Sequence, residues 1–276
     1  MKNDFQNSTG ADVLSDLKRL SGRKRRTLAR TLIYKKNRRP ASKDEQIVLL
    51  DALRSEEVLT DFDRIYALIA GCHKVCENVD MQAAPVWLDH LLGAEQSIRR
   101  MPIGFGLRKD RTHLVFSALN VALNLDLLTG RRHAGRLCDW FFEELEGLNP
   151  RKMTPYLFNT TSNVVKCGGI VALSRPESVA HLAGLLRLLM SYSVEINNAE
   201  HWWFYARFRA PSRVGELTER ASFGSYCRSV VRMFALEKAA AESDPVARAA
   251  LVKEAAYLCV AQATDAQRDA LFERVG

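Results

Sequence analysis

The sequence predicts an all-α fold, and three observations carry that prediction. Leucine occurs 35 times and alanine 32 times among the 276 residues, and both are strong helix formers. Apolar residues recur at spacings of three and four over most of the chain, as on one face of an α-helix. Short turn-forming stretches separate these segments, and no long linker divides the body of the chain. The composition, with 47% hydrophobic and 26% charged residues, is typical of a globular protein and excludes a collagen-like or fully disordered chain.

The first helices are predicted from their start signals. Ser42 and Glu45 have the spacing of a capping box and precede an apolar run, which predicts a helix over about 44–54. Helical spacing predicts a further helix over 60–78. Pro85 suits the first turn of the next helix, because its missing N–H is not needed there. We expect that helix to continue through Ile98.

The middle of the chain holds the strongest helical period and the most ambiguous segment. A helix is predicted to begin at Asp110 or Thr112 and to end before Gly130, since glycine commonly follows a helix C-terminus. Another is predicted over 133–148, before Asn149-Pro150. The segment 163–173 is the best candidate for a strand. Short apolar runs of this kind do not separate strand from helix.

The last third of the chain predicts four more helices. One starts at Ser174 and Pro176 and ends near 197–198, and another covers 222–241. Asp244-Pro245 is an N-cap followed by an N1 proline, which opens a helix to about residue 263. Thr264 with Gln267 is a second capping box and opens the final helix.

The helices, about ten or eleven in all, are predicted to pack as antiparallel pairs. Such pairs form either an irregular α-solenoid of the tetratricopeptide or HEAT kind, or a helical bundle. We assign residues 1–43 to a basic N-terminal segment and residues 44–276 to an all-α domain. A subdivision near 149–155 is compatible with this scheme.

Positive charge is concentrated near the N-terminus. Residues 17–43, called the basic segment below, contain twelve Lys and Arg and no Asp or Glu. The formal net charge is +8, so taking away the +12 of this segment leaves −4 for the rest of the chain. This asymmetry predicts a polyanionic partner, either nucleic acid or an anionic membrane surface. The alternative is a solvated helix that keeps its charges in water.

Arginine outnumbers lysine in the basic segment, and its guanidinium fork binds phosphate bidentately. The predicted polyanion contacts are Arg23, Lys24, Arg25, Arg26, Arg30, Lys35, Lys36, Arg38 and Arg39. A second anion contact is predicted further along the chain, at Arg99, Arg100, Arg108, Lys109 and Arg111. These five residues flank a glycine-containing stretch that otherwise reads as a loop between two helices.

The stretch 201–209 is rich in aromatic residues, with five of the 23 aromatic residues of the chain within seven positions. It offers a candidate binding surface made of Trp202, Trp203, Tyr205, Arg207 and Arg209. Aromatic rings stack on bases or sugars, and arginine holds phosphate. Packing in the core is the alternative, because aromatic side chains bury the most area.

Metal and catalytic motifs are weak. Cys72, His73 and Cys76 share a segment, but a structural zinc site needs four ligands and no second pair accompanies them. Buried thiols are therefore favoured. Asp139, Glu143 and Glu146 have the spacing of a helical acidic site, but such a site needs a matching set on a second helix, so a solvated helix face is favoured. We predict no catalytic residue, no metal and no cofactor.

The sequence thus predicts a non-enzymatic interaction or scaffold protein. Its basic segment would bind an acidic surface, and its helical body would bind a protein partner. The alternatives are a nucleic-acid-binding regulator and an all-α enzyme acting on a phosphorylated or isoprenoid-like substrate. The six cysteines, the polar start of the chain and the absence of a long apolar run predict a cytoplasmic protein without a transmembrane segment, peripheral to a membrane if the basic segment binds lipid.

Overall fold

A computed structural model describes residues 15, 19–25, 27, 42–57, 59–101, 111–148, 157–196 and 221–256, with the backbone alone at 157–159, 190–196 and 221–230. Within these residues all regular secondary structure is helical, which confirms the all-α prediction. None of the described helices combines the length and apolar character that a membrane span requires.

The helices of the first half are α1 (Lys43–Ser55), α2 (Asp61–Asn78), α3 (Ala84–Gly93), α4 (Glu95–Arg100), α5 (Arg111–Leu128) and α6 (Ala134–Glu146). The second half contains α7 (Leu157–Ser174), a short 3₁₀ helix (Pro176–Ser178), α8 (Val179–Ile196), α9 (Ala221–Ala241) and α10 (Pro245–Ala255).

Local capping chemistry fixes several of these boundaries. The Ser42 hydroxyl accepts a hydrogen bond from the Glu45 N–H at 3.2 Å, and the Glu45 carboxylate accepts one from the Ser42 N–H at 3.0 Å. The capping box at α1 is therefore confirmed. Asp244 accepts from the N–H groups of Val246 and Ala247 and caps α10, as predicted.

Two predicted helices differ from the structure. The helix expected from Pro85 through Ile98 is two helices, α3 and α4, which are separated by Ala94, a turn residue with φ −87° and ψ −4°. The helix expected to reach residue 263 ends at Ala255, since Ala256 is extended with ψ 134°. The final helix predicted from Thr264 lies outside the described residues.

The segment 163–173 is helical, so the strand interpretation is wrong. It lies within α7, and its glycines serve close packing between helices. A Cβ atom added at Gly169 would overlap the carbonyl of Ala255 at the end of α10, and one at Gly168 would lie 3.0 Å from a methyl group of Leu186. Glycine therefore allows α8 and α10 to approach α7.

Helices α5 and α7 lie at the centre of the described structure. Helix α5 contacts α2, α3, α4, α6 and α7, while α7 contacts α5, α6, α8, α9 and α10. The core is continuous across both and includes residues from Leu50 to Ala255. The all-α class is thus established, and the choice between a solenoid and a bundle remains a prediction.

Candidate functional site

The described part of the basic segment is residues 19–25, 27, 42 and 43. Arg23 and Lys24 are exposed there. Arg25 lies against the end of α1, with its guanidinium 3.8 Å from the carboxylate of Glu56. The other predicted contacts, Arg26, Arg30, Lys35, Lys36, Arg38 and Arg39, lie outside the described residues. Polyanion binding by this segment stays a prediction.

Two members of the predicted second anion contact are bound to carboxylates of the body. Arg99 contacts Glu95 at 2.8 Å and Glu143 at 2.6 Å. Arg111 contacts Glu144 at 3.4 Å and donates to the carbonyl of Arg99. Arg100 is exposed at the end of α4. Arg108 and Lys109 lie outside the described residues, so the second anion contact as a whole stays a prediction.

These contacts form an ion-pair network around the buried carboxylate of Glu95. Arg136 on α6 donates to Glu95 at 2.8 Å from the opposite side to the Arg99 pair. The Arg99 guanidinium also lies 5.2 Å from the ring centre of Trp140, within cation–π range. Burial works to lower the pKa of Arg99, but hydrogen bonds and charges from Glu143 and Glu95 outweigh it and raise that pKa. The network joins α4, α5 and α6.

Most of the acidic residues predicted to form a solvated helix face or an acid–base site form ion pairs with arginine. Asp139 contacts Arg175 at 2.7 Å, and Glu143 and Glu144 contact Arg99. No second acidic set faces them within the described residues. In the part of the chain that the structure describes, no three His, Cys, Asp or Glu side chains are placed to hold a metal ion.

The Cys72–Cys76 segment faces the core rather than a ligand. Both thiols are buried, and each donates to a backbone carbonyl of a neighbouring helix, Cys72 to Trp87 and Cys76 to Val121. Burial raises the pKa of the Cys72 thiol well above its ordinary range. His73 instead contacts Glu77 at 3.0 Å on the helix surface. The predicted aromatic surface, Trp202–Arg209, lies outside the described residues.

Sequence reasoning missed a cleft of about 510 Å³ between α3 and the loop that joins α5 to α6. One wall consists of Met81, in the turn before α3, and of Pro85, Leu88 and Asp89, whose spacing places them on one face of α3. The other wall consists of Leu128, Thr129, Gly130, Arg132 and His133. Gly130 and Pro85 were recognised as helix signals, but nothing in the sequence places one beside the other.

Asp126 shapes the second wall. Its carboxylate is 2% exposed and accepts a hydrogen bond from the His133 N–H at 2.8 Å. Its backbone carbonyl accepts one from the Arg131 N–H at 2.7 Å. Burial raises the pKa of Asp126, whereas the hydrogen bond from His133 opposes that rise. The loop is therefore held from within the protein, while Arg132 beside it is exposed.

The comparisons with known proteins add no family. No protein-family model, curated protein or solved structure matches this chain. Function must therefore be argued from the chain itself.

Proposed function

We infer that this protein is an interaction protein whose basic segment binds an acidic surface and whose helical body binds a protein partner. The observation that carries this inference is the separation of charge. The basic segment holds twelve positive charges without an acidic residue, whereas the rest of the chain sums to −4. Acidic residues of the body such as Glu95, Asp139 and Glu143 are engaged by arginines of the body.

Electrostatic capture explains how such a segment would work. A segment that neutralises phosphates releases condensed counterions, so its affinity falls steeply as salt rises. It positions the protein on the polyanion without reading sequence. On a membrane, each basic residue near an anionic leaflet contributes about 1 kcal/mol. Both surfaces are kept in the proposal because they use the same charges.

The test compares two charge variants of the full chain. The first replaces Arg23, Lys24, Arg25 and Arg26 by glutamine, and the control replaces Arg64, Arg187, Lys238 and Lys253 of the body by glutamine. Binding is measured to a labelled DNA duplex and to phosphatidylserine-containing vesicles at two salt concentrations. We expect the first variant to lose at least about tenfold in affinity for one of them, with a shallower salt dependence. Equal losses in both variants, or no binding by the native chain, would refute the proposal.

The choice between the two acidic surfaces comes from competition. If vesicles displace the duplex, the basic segment is a membrane-binding element. If the duplex resists vesicles, the nucleic-acid-binding regulator becomes the preferred form of the proposal. The enzyme alternative gains no support from Asp139, Glu143 and Glu144, because these three carboxylates contact arginines.

A protein partner of the body is supported by exposed apolar side chains on α8 and α9. Leu188 is 57%, Val231 60% and Phe234 53% exposed, although the two helices pack together. Val231 and Phe234 are three positions apart and therefore neighbours on the surface of α9, and neighbouring exposed apolar side chains mark interaction surfaces more often than singly exposed ones do. A photo-crosslinking amino acid at position 231, with position 48 of α1 as the control, tests this surface. The partner captured by cross-linking is then purified. It should bind the Phe234→Asp variant more weakly than the native chain, and unchanged binding would exclude the surface.

A further inference from the structure

The cleft between α3 and the α5–α6 loop has charges of opposite sign on its facing walls. Asp89 on α3 is exposed, and Arg132 on the loop is exposed. Neither forms an ion pair with any residue in the described part of the chain. Two opposite charges that line a cleft without an ion-pair partner in the protein are complementary to a ligand that carries both a positive and a negative charge. The volume, about 510 Å³, lies in the range of small-molecule sites, roughly 300–1,000 Å³.

The cleft also offers an apolar floor. Leu88 and Leu128 are 1% and 5% exposed, and they belong to the hydrophobic core beneath it. Met81 and Pro85 line the rim, and Met81 is 40% exposed. Ligand sites typically combine such an apolar lining with a few fixed polar groups. An apolar group on the ligand would therefore contact the floor while its charges contact the walls.

Backbone strain marks both sides of this cleft. Val79 has φ 54° and Arg131 has φ 62°, and they are the non-glycine residues with positive φ among those the structure describes. Val79 stands two residues before Met81, and Arg131 stands directly before Arg132. Left-handed backbone costs a non-glycine residue about 1–2 kcal/mol, most clearly a β-branched one, and strain of this kind clusters at binding sites.

Hydrogen bonds hold each strained turn at the end of a helix. At α2 the Asp80 N–H donates to the Val75 carbonyl at 3.1 Å. At α5 the Arg131 N–H donates to the Asp126 carbonyl at 2.7 Å. Both are the long bond of a Schellman motif, which reverses the chain sharply after a helix. The turns bring Met81 on one side and Arg132 with His133 on the other to the cleft.

We propose that this cleft binds a zwitterion with an apolar side group, either a free apolar amino acid or a dipeptide. The ammonium group would contact Asp89, the carboxylate would contact Arg132, and the apolar side group would contact Leu88 and Leu128. Loss of either ligand charge would leave one wall of the cleft uncompensated, so the site discriminates against singly charged analogues. This proposal does not depend on the basic segment.

The first experiment compares ligands on the full native chain. L-Leucine and L-leucyl-L-leucine are titrated, and binding is followed by calorimetry and by the amide NMR signals of Thr129, Gly130 and Arg132. N-Acetyl and C-terminal amide derivatives of each compound remove one charge at a time. We expect one parent compound to bind and to shift those signals. Each of its two derivatives should bind at least about tenfold more weakly, since a charged hydrogen bond contributes about 1.5–3 kcal/mol. Which parent binds decides between amino acid and dipeptide.

The second experiment tests which side chain of the cleft binds each charged group of the ligand. Asp89→Asn should weaken binding about tenfold and remove the preference for the free ammonium over the acetylated compound. Arg132→Gln should also weaken binding about tenfold, and it should remove the preference for the free carboxylate over the amide. Glu57→Gln and Lys238→Gln, exposed charges elsewhere on the body, should bind as the native chain does. The proposal fails if neither parent compound binds, if the singly charged derivatives bind as tightly as their parent, or if Asp89→Asn and Arg132→Gln bind as the native chain does. Melting temperatures confirm that each variant is folded.

Discussion

Helices α5 and α7 both contact five other α-helices, but their closest contacts differ. Helix α5 packs through large side chains, and fully buried Phe116, Leu119 and Leu125 point in several directions around it. Helix α7 also buries large apolar side chains, but at Gly168 and Gly169 the neighbouring helices approach its backbone directly. The comparison teaches that one core uses two packing solutions. Removing atoms should damage the first helix, and adding atoms should damage the second.

The largest effect is expected from removing bulk at α5. Phe116 is fully buried, and its ring lies edge-on to Phe141 of α6 with 6.0 Å between ring centres. Phe116→Ala should lower the free energy of unfolding by about 4 kcal/mol, because it removes apolar contact and leaves a cavity. Urea unfolding measures it. Phe234→Ala on α9, 53% exposed, is the matched control and should change it far less. Similar losses at both positions would contradict the packing assigned to α5.

Adding one methyl group should damage α7 nearly as much. A Cβ atom at position 169 overlaps the Ala255 backbone, which cannot move aside as a flexible side chain could. Gly169→Ala should therefore destabilise the protein by about 3 kcal/mol. Gly184→Ala makes the same chemical change in α8, where a Cβ atom meets open space. That variant should stabilise the protein by about 0.5–1 kcal/mol, since alanine favours the helix. Effects of the same sign in urea unfolding would overturn this account of the glycines.

The end of α5 tests a glycine needed for its backbone conformation rather than for space. Gly130 has φ +83°, and a Cβ atom there would meet no other atom within 4 Å. Gly130→Ala should cost about 1 kcal/mol, because alanine is strained in the left-handed region. Gly135→Ala, at the start of α6 with the same open space, should not destabilise the protein. Thermal unfolding of the two variants checks this, and equal melting temperatures would show that the turn tolerates alanine.

The sequence predicted the parts of this fold that depend on neighbouring residues. The capping residues Ser42 and Asp244 and the stop at Gly130 act within one turn, so their effect is visible in a short window. The sequence left the segment 163–173 open between strand and helix, because the packing of its glycines depends on Ala255, far along the chain. The break at Ala94 was missed, although Gly93 directly before it is of the residue type that commonly marks the end of a helix.

The candidate sites were less predictable for the same physical reason. A charged residue looks alike in sequence whether it is exposed or paired, and Arg99 and Arg111 were read as anion contacts before their carboxylate partners were known. The cleft could not be seen in the sequence because Asp89 and Arg132 lie far apart in the chain. Long-range contacts of this kind are decided by packing, which a single sequence does not record.

The smallest expected effect belongs to a helix remote from both central packing solutions. Ser42→Ala removes the side-chain half of the capping box at α1, the hydrogen bond that the Ser42 hydroxyl accepts from the Glu45 N–H, and should lower the free energy of unfolding by about 1 kcal/mol. Ser97→Ala, an exposed position within α4, makes the same change without removing a cap and should stay within about 0.5 kcal/mol of the native chain. Urea unfolding of the two variants gives the difference. If the two variants had the same free energy of unfolding, packing against α2 rather than the cap would determine where α1 starts. The stability of α1 would then have the same origin as that of α5 and α7.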